Sequence, residues 1–192
     1  MPIILKGATS GQVTLDTPAI AGTNTITLPA STGTMQLLRL ETAQNTTSGT
    51  SIDFLNIPSW AKKITVIFND VSTNGISPSQ IQLGTSSGID ATSYKSAASN
   101  QAGTTSTSTT GLLITESTIL ATATTSGLCV ITLLGSNIWV SSSVVINTAT
   151  ANLRYSGGVK TLSGTLDRLR LTTVNGTDTF DNGSVNILIE GN

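Results

Sequence analysis

The sequence predicts an all-β protein: an extended N-terminal β arm over about residues 1–44, then an antiparallel β-sandwich, jelly-roll-like, head domain over 45–192. Three observations predict it. Ser and Thr supply roughly 30% of the 192 residues, well above ordinary globular usage. Hydrophobic residues still reach 38% while charged residues are 10% and aromatics 4%, the reverse of a disordered chain's balance. Val, Ile and Thr recur in short alternating runs bounded by Gly, Pro and Asn, and branching at Cβ favours pleated backbone. No apolar stripe of helical period runs for a useful length.

In chain order, the first segments are QVTLD and NTITLP, separated by PAIAGT. Val13 and Leu15, then Ile26 and Leu28, alternate with polar neighbours, so each strand can bury one face only. Pro18 and Pro29 interrupt pairing because proline offers no amide hydrogen. A hairpin of two such strands is marginal in water. Fully extended, the first 35 residues reach about 110 Å at ~3.3 Å per residue, the geometry of an arm. The stretch TMQLLRLETAQ carries Met35, Leu37, Leu38 and Leu40 and reads as a further strand rather than a helical turn.

From residue 50 the strands lengthen. SIDFLNI leads into PSWAKKITVIFNDVS, whose core set is Ile64, Val66 and Phe68, with Trp60 after Pro58 capping one end. SQIQLG alternates through Ile81 and Leu83. SGLCVITLLG and NIWVSSSVVIN flank Ser136 and Asn137, a hairpin turn. The final strands carry Leu166, Leu169, Leu171, Val185, Ile187 and Ile189. Short strands with turn signals every 8–12 residues are the pattern of an antiparallel sandwich. The low-complexity run SAASNQAGTTSTSTTG at 96–111 is expected to be an exposed loop.

Charge and composition narrow the function classes. The net charge is −1, and the densest basic features are Lys62-Lys63 and the Arg168/Arg170 alternation. Neither neutralises the several phosphates that nucleic-acid binding requires, and Arg168 and Arg170 read as a solvated strand face. No segment approaches the ~18 uninterrupted apolar residues of a membrane span, and the N-terminus lacks a secretory pattern. A soluble chain made without secretory processing is expected. Cys129 is the only cysteine, so no intrachain disulfide forms, and in LCVITLL it reads as a small buried hydrophobe.

Histidine is absent, which removes the usual general base and metal ligand. A Cys/His zinc site is excluded, and no GxSxG elbow, P-loop or GxGxxG occurs. Asp178 and Asp181 in NGTDTFDNG are the closest carboxylate pair. They read as a turn joining two terminal strands, with an oxygen-ligand cation site or sugar hydrolysis as alternatives. Asn45, Asn175 and Asn182 begin N-x-S/T triplets of the kind that arise by chance in a Ser/Thr-rich chain. No enzyme activity and no cofactor are expected.

One resemblance adds to this reading. SGQVTLDTPAIAGTNTITLPASTGTM resembles a segment recurrent in bacteriophage tail-fibre and related virion proteins, where a strand-forming run ends in LPA-x-TGT. IPSWAKKITVIFNDVSTNG and LSGTLDRLRLTTVNGTDTFDNGSVNILIE look like the head domain at the end of phage and prophage fibre-like proteins. The similarity covers about residues 8–35, 55–85 and 160–190. It implies a virion component, on tail or capsid and made in the host cytoplasm, with a short attachment arm and a β-rich head in a homotrimer. The chain lacks a long shaft, which favours a short fibre or a surface decoration.

Three copies of the arm could then complete one another's missing face. Val13, Leu15, Ile26, Leu28, Leu37 and Leu40 become the candidate trimerisation and anchoring residues, each worth ~1.5–3 kcal/mol on full burial. Alternatively the arm adds an edge strand to a baseplate or capsid protein. Loops 70–78 and 84–111 are the candidate contacts to host-surface polysaccharide. Trp139 and Tyr155 are candidates for sugar stacking, with core packing as the competing reading. A capsid decoration protein and a glycan depolymerase are the alternative functions.

Overall fold

The computed structural model describes residues 3–15, 33, 35–117, 120–148 and 151–192. The chain divides into two compact units, Met1–Thr34 and Met35–Asn192.

In the first unit, β1 (Ile3–Lys6) and β2 (Gln12–Leu15) pair antiparallel, Ile3 opposite Leu15 and Lys6 opposite Gln12. The Gly7 amide donates to the Gly11 carbonyl at 3.1 Å and closes the turn. The expected QVTLD strand is therefore present, and its partner is the apolar run at the very start of the chain. Ile4 and Leu5 on β1 are exposed. The side chains of Val13 and Leu15, and Ile26 and Leu28 altogether, lie outside the described residues.

The second unit contains β3 (Leu37–Leu40), β4 (Gln44–Asn45), β5 (Ser51–Phe54), β6 (Ala61–Thr73), β7 (Ser79–Thr85), β8 (Gly88–Asp90), β9 (Lys95–Asn100) and β10 (Thr105–Ser108). It continues with β11 (Leu112–Leu113), β12 (Thr125–Gly135), β13 (Ile138–Asn147), β14 (Asn152–Thr161), β15 (Arg168–Thr173) and β16 (Phe180–Gly191). A nine-stranded sheet runs β10-β9-β14-β13-β12-β6-β16-β3, with β4 also on β16. A five-stranded sheet runs β11-β7-β15-β5, with β8 also on β7. Every pairing is antiparallel. The all-β antiparallel sandwich expected from composition is the observed fold. Among the described residues no helix is long and apolar enough to cross a membrane.

Register explains the core. On β6, Ile64, Val66 and Phe68 stand opposite Ile189, Ile187 and Val185 of β16, while Ile64 and Val66 also face Ile131 and Cys129 of β12. In the small sheet, Leu169 and Leu171 of β15 lie between Leu83 and Ile81 of β7 and Phe54 and Ile52 of β5. Period-2 alternation puts each set on one face, and the two faces form one buried cluster. Trp60 packs partly buried against it, as expected of a cap. The Ser136-Asn137 turn has φ of 47° and 59°, the doubly positive backbone of a tight hairpin between β12 and β13.

Two expectations are corrected. Leu37–Leu40 pairs with β16, Leu40 opposite Leu188 and Leu38 opposite Glu190, so residues 35–44 belong to the sandwich and the boundary is 34/35, not 44/45. A sheet edge with free backbone groups recruits this segment more strongly than its position next to the arm suggests. Residues 96–111 are also no simple loop. β9 and β10 form a hairpin on the sheet edge, Thr105 opposite Ser99 and Ser108 opposite Ser96. Ser96 and Ala98 are buried, small side chains that let Leu112 approach. A Cβ at Gly158 would stand 2.9 Å from Leu112 Cδ2, so β14 is narrow at that point by necessity.

Cys129 lies in the core, where burial pushes its thiol up to about 12. At pH 8 the folded protein is expected to resist an aromatic disulfide reagent and to react with one equivalent after unfolding in denaturant. Rapid labelling of the native protein would contradict the packing described.

Candidate functional site

One end of the sandwich carries a hydroxyl-lined groove. The β7–β8 turn supplies Thr85, Ser86 and Ser87, and the β14–β15 loop supplies Ser163, Thr165 and Asp167. Ile57 and Leu166 give it an apolar part, and its volume is about 440 Å³. A second hollow of about 320 Å³ shares Thr85, Ser87 and Ser163 and extends along Ile89, Asp90 and Thr92. Together they make a polar trough of alcohols with carboxylates at Asp167 and Asp90.

Its walls are held from within. The Asp167 amide donates to Gly84 O at 2.9 Å, and the Ile57 amide to Asp167 O at 2.8 Å. Arg168 donates through Nη2 to Ser86 O at 3.1 Å and to Asp167 Oδ2 at 2.8 Å. The two loops therefore form one rim, with Asp167 retaining a second oxygen. Such an array can exchange hydrogen bonds with a polyhydroxyl ligand, since each alcohol both donates and accepts.

The far wall rests on a buried clamp. Lys160 of β14 is 2% exposed and reaches Asp90 Oδ2 and Thr92 O, each at 2.5 Å. Its ammonium lies 4.8 Å from the Tyr94 ring centroid. The Tyr94 hydroxyl donates to Asp90 O at 2.8 Å and accepts from the Leu83 amide at 2.7 Å. Burial pushes the Tyr94 phenol well above its ordinary range. For Asp90, burial pushes the carboxyl up, but the bonds from Lys160 and Thr92 outweigh it and hold it below 3.8. A carboxyl depressed by folding adds stability that is complete above its unfolded pKa and lost as pH falls through the folded one. Asp90→Asn is therefore expected to remove part of the stability change below about pH 4 in acid-unfolding titrations. An acid limb identical to that of the parent would show that the clamp carries no linkage.

The sequence candidates distribute as follows. Residues 85–92 of the predicted 84–111 loop reach the groove, whereas 95–100 and 105–108 are strands. Of 70–78, the first four residues belong to β6. Trp139 is buried in the core, the competing reading given above, and cannot stack on a sugar. Tyr155 is half exposed on the outer face of the large sheet, away from the groove's lining. Leu37 and Leu40 are both exposed on β3. Ser163, Thr165 and Asp167 were missed, although SGT in TLSGTLD is a turn signal.

Asp178 and Asp181 take the turn reading. Asp178 accepts from the Ser77 amide at 2.9 Å and from Asn175 Nδ2 at 2.6 Å, bracing two turns together. Asp181 accepts from the Ser72 hydroxyl. Among the described residues no group of three or more Asp, Glu, Cys or His side chains is placed to hold a metal ion. Arg170 makes two 2.7 Å bonds to Asp53, and Arg168 is spent on Asp167, so both strand arginines are paired. No protein-family model matches the chain, and neither a curated protein nor a solved structure matches it.

Proposed function

We propose that this chain is a structural virion protein of a bacteriophage, a short tail fibre. Its N-terminal arm anchors or trimerises, and its sandwich head meets the host surface. The observation that carries the reading is the place where the resembling segment ends. LPASTGTM runs into β3, an edge strand whose Leu37, Leu38 and Leu40 are all exposed. Three exposed leucines on an edge strand make a template for another chain, and the strand's one charge, Arg39, is engaged by Glu41 and the Asn56 carbonyl rather than free to blunt the edge.

The hydroxyl-lined groove supports the host-facing half of the proposal. Alcohols and a spare carboxylate oxygen suit sugar hydroxyls, and the walls are rigid, which spares ordering entropy on binding. The absence of histidine favours binding over cleavage.

Imaging of intact virions with a label on this protein tests the role. Label at the tail is expected. Label spread over the capsid in hundreds of copies would replace the fibre with a decoration protein. Incubation with host envelope polysaccharide is expected to leave glycan chain lengths unchanged, and shortened products would make the protein a depolymerase.

A further inference from the structure

The outer face of the nine-stranded sheet carries a run of apolar side chains along its centre. On β14 the two charged side chains point inward, Arg154 to Glu116 at 2.8 Å and Lys160 to Asp90 at 2.5 Å. Leu153, Tyr155 and Val159 point outward instead. On β13 Val140, Val144 and Ile146 likewise face out, while the buried side mixes Ser141, Ser143 and Asn147 with Trp139 and Val145. Register joins these residues into rows. Ile67, Leu128, Val144 and Tyr155 stand side by side across β6, β12, β13 and β14. Ser126, Ile146 and Leu153 form the next row.

An antiparallel sheet with one solvated face normally alternates apolar-in and polar-out. This one is apolar on both faces and carries no charged side chain on the outer positions of β12, β13 or β14. Leu128, Val140, Val144, Ile146, Leu153 and Tyr155 are 36–59% exposed. Taking about 150–250 Å² for a large side chain, the six offer roughly 500 Å² of surface. A monomer's largest apolar patch is typically about 300–600 Å², commonly functional at that size. Half-buried Ile67, Val130 and Val159 widen it toward the ~800 Å² per partner of a stable interface.

We propose that this face is where a second copy of the chain packs, head against head. The occupant follows from charge and area. The centre of the face, β12 to β14, is uncharged, and the lysines that end the Val140 row, Lys63 and Lys95, stand at its rim, Lys63 paired with Glu190 at 2.7 Å. Two copies therefore meet at the centre without like-charge repulsion, whereas a partner selected by electrostatic complementarity needs charges to read. Interfaces between identical subunits are also the more apolar class, and Tyr155 beside Val144 supplies the aromatic anchor such interfaces favour. The proposal deepens the self-association in the reading above by adding a contact between heads to that of the arms. It does not depend on a virion location.

The test uses the full chain. Sedimentation equilibrium of the purified protein at micromolar concentration is expected to show an oligomer. Val144→Asp places a charge in the row centre and is expected to weaken association about a hundredfold or more, with the β-type circular dichroism retained. Val144→Cys, which keeps the strand intact, supplies an independent readout because Cys129 is buried. Its thiol is expected to be protected from maleimide in the oligomer and labelled on dilution to monomer. A monomeric parent protein overturns the proposal. So does an oligomer in which the introduced cysteine is fully labelled, an outcome that leaves the arm as the contact. If Val144→Asp does not fold, the labelling result alone decides.

Discussion

Replacing Arg154 with methionine is expected to destabilise the protein by about 3–5 kcal/mol. Arg154 is 3% exposed and Glu116 is fully buried, and Arg154 Nε meets Glu116 Oε2 at 2.8 Å. Asn100 donates to the other carboxylate oxygen at 3.1 Å. Asn100 also accepts from the amides of Ala102 and Thr104, so the cluster fixes the β9–β10 turn as well as the segment after β11. Removing the guanidinium takes the Arg154 cation and its charge-assisted bond from a fully buried carboxylate that keeps its bond from Asn100, and that penalty exceeds the value of the pair itself. Guanidinium denaturation at fixed protein concentration measures it. The double variant Arg154→Met with Glu116→Leu is expected to recover most of the loss, because the buried carboxylate is removed together with its cation. A single variant within about 1 kcal/mol of the parent would mean the carboxylate finds water, contrary to its burial.

Ile131→Ala is expected to cost about 2–5 kcal/mol. Ile131 is fully buried on β12, opposite Ile64 across one strand gap and Ser141 across the other. Truncation forfeits the transfer energy of the lost carbons and leaves a cavity that flanking strands, tied by hydrogen bonds on both sides, cannot close. The midpoint should fall with an unchanged denaturant slope. Leu128→Ala lies three residues away on the other face and serves as the contrast. Measured on monomer, its effect is expected to stay within about 0.5 kcal/mol. Equal losses for the two variants would show that the faces are not distinct.

Much of the sandwich was legible in the sequence because burial on one sheet face imposes a period of two. Ile64, Val66 and Phe68, and likewise Val185, Ile187 and Ile189, announce their strands without help from the rest of the chain. The Ser136-Asn137 hairpin was legible for a local reason, since Asn tolerates the left-handed backbone such a turn needs. The strands at 95–100 and 105–108 were not. Ser, Thr and Ala carry almost no hydropathy contrast, so their pairing depends on β14 and on Leu112 arriving from elsewhere. The groove escaped for a similar reason. Ser86 and Ser163 are 77 positions apart in numbering, and only the pairing of β7 with β15 brings their loops to one end.

By itself, then, the sequence determined that the chain is β, where most strands lie, and that histidine-based chemistry is absent. Tertiary structure alone decided which face of β14 is inside. Alternation divides LRYSGGV into two sets of side chains, and hydrophobicity would have buried Leu153 and Tyr155. Arg154 and Lys160 go in instead because Glu116 and Asp90, far away in the chain, are there to receive them. A charge can be buried only where its partner already waits, and the strand that carries it cannot specify that partner.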